Sequence, residues 1–257
     1  LDLGDSFNLS DYTALYELPQ LKRLRISDGW QAGSFIPDVT LLPALEELEC
    51  GAETLPQLAR CRKLKKLKLF LSHFDSKTDF SGLSRLSELE ELDLNVESAA
   101  QNTETLYALR ELPKLRKVTF CCKEGTIPLH AFPAVTELTV LGEDAGSGGS
   151  DAELQIRAET EADAPALERL SVYAHNKVRF EGWRSTTLRE LRLGRCGIDT
   201  LAFTEAFPNL EFLDLSDNRV EDIAALTSLP KLRYLRYTDN VIQNIALLKN
   251  RGIVLVE

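Results

Sequence analysis

Histidines and cysteines are the residues in this sequence best suited to catalysis or metal binding, and there are three of the first and five of the second. His73, His130 and His175 stand far apart. The segment "HFDSKTD" sets His73 near Asp75 and Asp79, but at no common metal-ligand spacing. Cys50, Cys61, Cys121, Cys122 and Cys196 form no C-x-x-C pair. Neither a zinc site nor a disulfide framework is indicated, and reduced thiols in a reducing compartment are expected. Cys121 is the candidate reactive thiol, because it should face outward. A cysteine nucleophile needs a base beside it, and the chain's periodicity places no histidine there. The sequence has no G-x-S-x-G, Walker loop or G-x-G-x-x-G, and "GSGGS" is followed by no lysine. No enzyme activity, cofactor or metal is expected.

The strip "LKKLKL" at Leu64 raises a different possibility, a grip on something acidic. The whole chain argues against it. Its 257 residues carry a net charge of −10, unfavourable for nucleic acid or anionic lipid as a general partner. No run of 18 apolar residues exists, and the first residues show no signal peptide, so no membrane partner is expected. The chain starts at Leu1 and contains no Met, as expected of a trimmed or matured piece. A cytoplasmic location is favoured, with a secreted or surface protein as the other option.

The strip has relatives. The chain reads "LKRLRI" at 21, "LEELEC" at 45, "LKKLKL" at 64, "LEELDL" at 89 and "LRKVTF" at 115. It goes on with "VTELTV" at 135, "LERLSV" at 167, "LRELRL" at 188, "LEFLDL" at 210 and "LRYLRY" at 232. "LDL" at the start and "IVLVE" at the end look like two more. Spacings run from 19 to 32 residues. Cys196, Asn218 and Asn240 each follow the start of their copy by eight residues. L-x-x-L-x-L alternates, so one strand cannot bury its leucines alone, and stacked copies can. The asparagines suit the turn after each strand, where an amide satisfies stranded backbone groups.

This pattern resembles the leucine-rich repeat family over essentially the whole chain, and its 22-residue copies resemble the short bacterial type of the internalins. The resemblance implies an α/β solenoid: a right-handed superhelix with a parallel concave β-sheet of about 11–12 strands. Short helices or 3-10 turns are expected on the convex side, where Ile223, Leu226 and Leu229 fall at helical intervals. Seven copies carry Pro two residues ahead, which ends the convex segment. One domain, 1–257, is expected, with a flexible Gly/Ser insertion over about 142–163.

Outward residues decide what the sheet presents. At the second, third and fifth places the copies read Lys22, Arg23, Arg25; Glu46, Glu47, Glu49; Lys65, Lys66, Lys68; Glu90, Glu91, Asp93. The sign flips with each strand. Neighbouring strands lie about 4.8 Å apart, so the strip should be a self-neutralising ladder. The ladder breaks at Phe212 and Tyr234, with Arg192, Asp214, Arg233 and Arg236 as neighbours, and aromatic and arginine residues are typical of binding hot spots. It also breaks at the seventh and eighth places, read as lying just past the strands. Phe70, Leu71, Val96, Cys121, Cys122, Leu141 and Tyr173 there would make an apolar edge.

The function expected is a non-catalytic module binding a protein or peptide on the concave face. Twelve strands would give an arc on the order of 50 Å, enough for an interface of about 800 Å² per side. Two alternatives are the recognition half of a larger bacterial effector or enzyme, and a surface adhesin. A terminal repeat needs a cap, so further residues or another chain are expected to cover Leu1.

Overall fold

Every L-x-x-L-x-L copy is a strand in the computed structural model, which describes residues 1–4, 11–26, 36–71, 80–96, 103–122, 124–142, 153–160 and 162–257. The side chains of Leu71 and Val96 and the segment 73–79 with His73 lie outside the described residues. The chain forms two compact units, Leu1–Phe120 and Cys121–Glu257.

The first unit holds β1 (Asp2–Leu3), β2 (Arg23–Ile26), β3 (Glu47–Gly51), β4 (Lys66–Leu71), β5 (Glu91–Val96) and β6, which starts at Lys117 and ends at Cys121. They are hydrogen-bonded in chain order and all parallel. The second unit contains β7 (Gly125–Pro128), β8 (Glu137–Leu141), β9 (Leu154–Arg157), β10 (Arg169–Tyr173), β11 (Val178–Glu181), β12 (Glu190–Gly194), β13 (Phe212–Asp214), β14 (Tyr234–Arg236) and β15 (Val254–Val256). Here β8, β10, β12, β13, β14 and β15 form the repeat sheet, parallel and in register.

The register puts leucine beside leucine: Leu48, Leu67 and Leu92 align, as do Leu170, Leu191, Leu213 and Leu235. All seven are buried. Each such side chain contributes roughly 1.5–3 kcal/mol by leaving water. The prolines have a sharper role than ending a segment. All but Pro230 sit second in a turn whose fourth amide bonds the first carbonyl, as in Leu21 N to Leu18 O at 3.0 Å and Leu210 N to Phe207 O at 3.1 Å. That position suits the fixed φ of proline. The leucine opening each strand is thus aimed inward by its own turn.

The far side of the repeats carries one-turn helices, among them α1 (Thr13–Tyr16), α2 (Leu55–Leu58) and 3-10 turns at Ser81–Arg85, Ala202–Ala206 and Ala224–Ser228. Ile223, Leu226 and Leu229 are buried as their spacing predicts. Three successive copies depart from this. Their far sides are strands, and β11, β9 and β7 form a separate parallel sheet in that order. The structure therefore differs from an insertion that is loop over 142–163. Residues 143–152 and 161 lie outside the description, but Leu154 and Ile156 are buried strand residues. The alternation L-x-I in "LQIR" is a strand signal that the adjoining glycines obscured.

Candidate functional site

The first unit shows how the ladder is wired. Arg23, Glu47, Lys66, Glu91 and Lys117 align strand to strand, and so do Arg25, Glu49, Lys68 and Asp93. Bonding is more selective than alignment. Lys66 Nζ donates to Glu91 at 2.8 Å, Arg25 reaches Asp2 at 3.2 Å and Glu49 at 3.1 Å, and Lys68 lies 3.8 Å from Glu49. The Glu47 carboxylate forms no direct bond among the described residues, although it stands between Arg23 and Lys66. One position earlier, Glu46 accepts from both Lys22 and Lys65 at 2.8 Å. Those two bonds, Lys22 first, pull its carboxyl from 4.5 down to about 2. Burial instead pushes the Asp93 carboxyl up. A shallow cavity of about 340 Å³ opens here, lined by groups of both signs such as Arg25, Glu49, Lys68 and Asp93.

In the second unit the strands are held by their exits. The eighth residue of four copies is left-handed: Ala174 (φ 59°), Arg195 (55°), Asp217 (57°) and Asp239 (55°). The chain folds back there and leaves amides facing inward. Asn218 Oδ1 accepts from Cys196 N at 3.0 Å and Ile198 N at 2.9 Å, while its Nδ2 donates to the carbonyls of Leu193, Leu215 and Ser216. Asn240 accepts from Val220 N at 3.0 Å and donates to Leu215, Tyr237 and Thr238. Cys196 fills the slot with a thiol, which donates to Val172 O at 3.2 Å and Gly194 O at 3.3 Å. Burial drives that thiol up to about 12, so it stays protonated and serves as a donor. The left-handed residues escaped the sequence reading. Asp before Asn was a signal at two of them, and Ala174 and Arg195 offer none.

On this frame Phe212 and Tyr234 are brought together. They align across β13 and β14 and stack with centroids 4.6 Å apart and planes 6° from parallel. The Arg192 guanidinium lies 4.9 Å from the Phe212 centroid. Arg236 stands beside buried Asp214, 3.9 Å away. The other Asp214 oxygen accepts from Ser216 N at 2.9 Å and its hydroxyl at 2.6 Å. Arg233 is exposed and makes no side-chain bond among the described residues.

The apolar edge is rearranged. Its positions are not past the strands: β4, β5, β6, β8 and β10 run through Leu71, Val96, Cys121, Leu141 and Tyr173. Phe70 aligns with Gly51 and Asn95 and lies under Lys68 Nζ, 5.1 Å from the centroid. Leu141 aligns with Tyr173, whose ring covers Gly194 so closely that a Cβ there would stand 2.8 Å from Cδ1. Cys121 has a partner of its own. His175 corrects the expectation that no histidine comes near the cysteine pair, for its Nε2 donates to the Cys122 carbonyl at 2.6 Å. It is a buried strut. Burial lowers its pKa and keeps the ring neutral. The Cys122 thiol donates to Glu124 O at 3.2 Å and is pushed up to about 11 by burial. No activated thiolate results.

A stack of parallel strands with inward leucines, asparagine-locked exits and short far-side turns defines a leucine-rich repeat fold like that of the internalins. Residues 186–228 and 208–250 match the family model described as "Leucine Rich repeats (2 copies)". No curated protein matches the sequence. Among solved structures, an internalin (inlF) of Listeria monocytogenes str. 4b F2365 superposes with a TM-score of 0.55 at 16% identity, covering 97% of this chain and 84% of that one. The leucine-rich repeat domain of APL1B gives 0.59 at 15% identity, over 88% of this chain and 66% of that one. A chain of the LRIM1/APL1C complex gives 0.59 at 16%, over 86% of this chain and 40% of that one. The chain thus spans less than two thirds of the length of these last two. Leucine-rich repeat folds are in general protein-binding modules and typically non-enzymatic.

Proposed function

We propose that this chain is a non-catalytic module that takes a protein or peptide on the outward face of the second unit's repeat sheet, at Phe212, Tyr234, Arg192, Arg233 and Arg236. The observation that carries the reading is the Phe212–Tyr234 stack with guanidinium groups around it. Aromatic and arginine side chains dominate hot spots, and rings already locked by stacking lose little freedom when a partner arrives. Phe70, Cys121, Leu141 and Tyr173 are left out, since Phe70, Cys121 and Tyr173 have internal contacts and Leu141 aligns with Tyr173. Nucleic acid is not the partner proposed. A phosphodiester backbone is negative throughout, and Glu190, Glu211 and Asp214 stand among the arginines.

The experiment is affinity capture from the source cell lysate with the wild-type chain and with a Phe212→Ala/Tyr234→Ala/Arg236→Ala variant of matching circular dichroism. Specific partners should drop by about tenfold or more, as the loss of a hot-spot group implies. Equal yield of the same proteins on both columns refutes the site.

A further inference from the structure

The same site indicates the chemistry of its partner, an inference that rests on the binding reading above. The stacking surfaces of Phe212 are taken. Arg192 of β12 and Tyr234 of β14 come to Phe212 from its two neighbouring strands. What Phe212 leaves for a partner is largely ring edge, the positive part of an aromatic quadrupole.

Strand β14 adds cations that its neighbours do not neutralise. In the first unit a basic strand such as β4 has acidic strands on both sides. Arg236 of β14 and Arg233 just before it have acids on one side alone. Glu211 and Asp214 belong to the β13 copy, whereas β15 sets Val254 beside Tyr234 and Val256 beside Arg236. The acids on the β13 side are also largely engaged. Glu211 lies 3.7 Å from Arg189, and Asp214 holds Ser216 with one oxygen. Contact between Asp214 and Arg236 is long, at 3.9 Å. Neither the Arg233 guanidinium nor the Tyr234 hydroxyl makes a hydrogen bond or ion pair among the described residues.

Three donors thus stand within residues 233–236, Arg233 directly before β14 and Tyr234 and Arg236 on it, next to the Phe212 ring edge, with no full set of acceptors. We infer that the partner is an acidic peptide, an extended segment whose Asp or Glu carboxylates meet Arg233 and Arg236 across Tyr234. The two arginines are three residues apart, about 10 Å along a strand, so two carboxylates at comparable separation fit. Guanidinium forks bind carboxylates in a bidentate fashion, and each such bond is stronger than a neutral one.

The test is selection of random displayed peptides on the immobilised wild-type chain, with Phe212→Ala/Tyr234→Ala as counter-selector. Recovered sequences are then measured as labelled peptides by fluorescence anisotropy. Site-dependent peptides should be rich in Asp and Glu. Replacing those residues by Asn and Gln, or using Arg233→Gln/Arg236→Gln, should raise Kd by about tenfold, the scale of one charged hydrogen bond. Both arginines are exposed, so that variant should keep its melting temperature. Site-dependent peptides without acidic excess, or acidic ones indifferent to the arginine variant, overturn the acidic partner and leave the site standing. If no recovered peptide depends on Phe212 and Tyr234, the site and the inference both fall.

Discussion

Replacing Asn218 by Ala is the most direct perturbation of the frame behind the proposed site. The side chain is 8% exposed and makes five hydrogen bonds to the backbone of its own copy and the one before. Alanine leaves the buried amides of Cys196 and Ile198 without their acceptor. Each buried orphan costs about 1–3 kcal/mol, so the expected loss is about 4 kcal/mol, and somewhat more if the three carbonyls are not resolvated. For a domain of this size about 2–4 °C of melting temperature corresponds to each kcal/mol, which gives a fall of roughly 8–16 °C. Asn240→Ala is the internal control. It strips the acceptor from one amide, Val220 N, and should lose about half as much. Differential scanning calorimetry reads both, and hydrogen exchange shows where the damage falls. Cys196 and Ile198 amides should lose protection in the first variant, and Val220 in the second. Equal, small losses in the two variants, or unchanged protection at Cys196 and Ile198, would refute the idea that asparagine amides hold these exits.

Three further outcomes follow from the geometry. Lys66→Glu should lower the melting temperature, and Glu91→Lys in that background should restore more of it than Glu47→Lys, because Lys66 bonds Glu91 and merely faces Glu47; equal rescue would mean that alignment rather than bonding sets the interaction. Glu46 has a folded pKa of about 2 against an ordinary 4.5, so its ionised form stabilises the fold fully above that upper value and progressively less as pH falls through the lower one. The melting-temperature gap between wild type and Glu46→Gln should therefore be present near neutrality and close as pH drops to about 2; a gap that persists in stronger acid would contradict the assigned bonds. Gly197→Ala should destabilise well beyond Gly252→Ala. Both glycines are left-handed (φ 63° and 68°), but a Cβ at Gly197 meets the Asn176 carbonyl whereas one at Gly252 meets open space. Similar chemical-denaturation midpoints for the two variants would count against that close contact.

Legibility followed the range of the interactions. Each of the ten copies read from sequence is a strand, and "LDL" and "IVLVE" supply β1 and β15. The Phe212–Tyr234 stack was readable because a parallel register places same-numbered positions side by side. The strand Leu154–Arg157 was not, because its partners β7 and β11 come from other copies and its own flank is rich in glycine. His175 and Cys122 are 53 residues apart and meet because the Cys122 amide bonds Leu141 at the end of β8 and β8 pairs with β10, so no local pattern announces their bond.

Taken alone, the order of residues specifies a repeating unit, its inward leucines, the alternation of charge from strand to strand and the place where aromatic residues interrupt it. These are properties of spacing, and a period of two along a strand converts spacing into face. Tertiary packing decides the rest: which acid Lys66 takes, which amides Asn218 satisfies, which copies exchange a turn for a strand, and which donors of β14 remain unspent. Those outcomes depend on distances of a few tenths of an ångström between groups far apart in the chain, and such distances exist only once the strands are stacked.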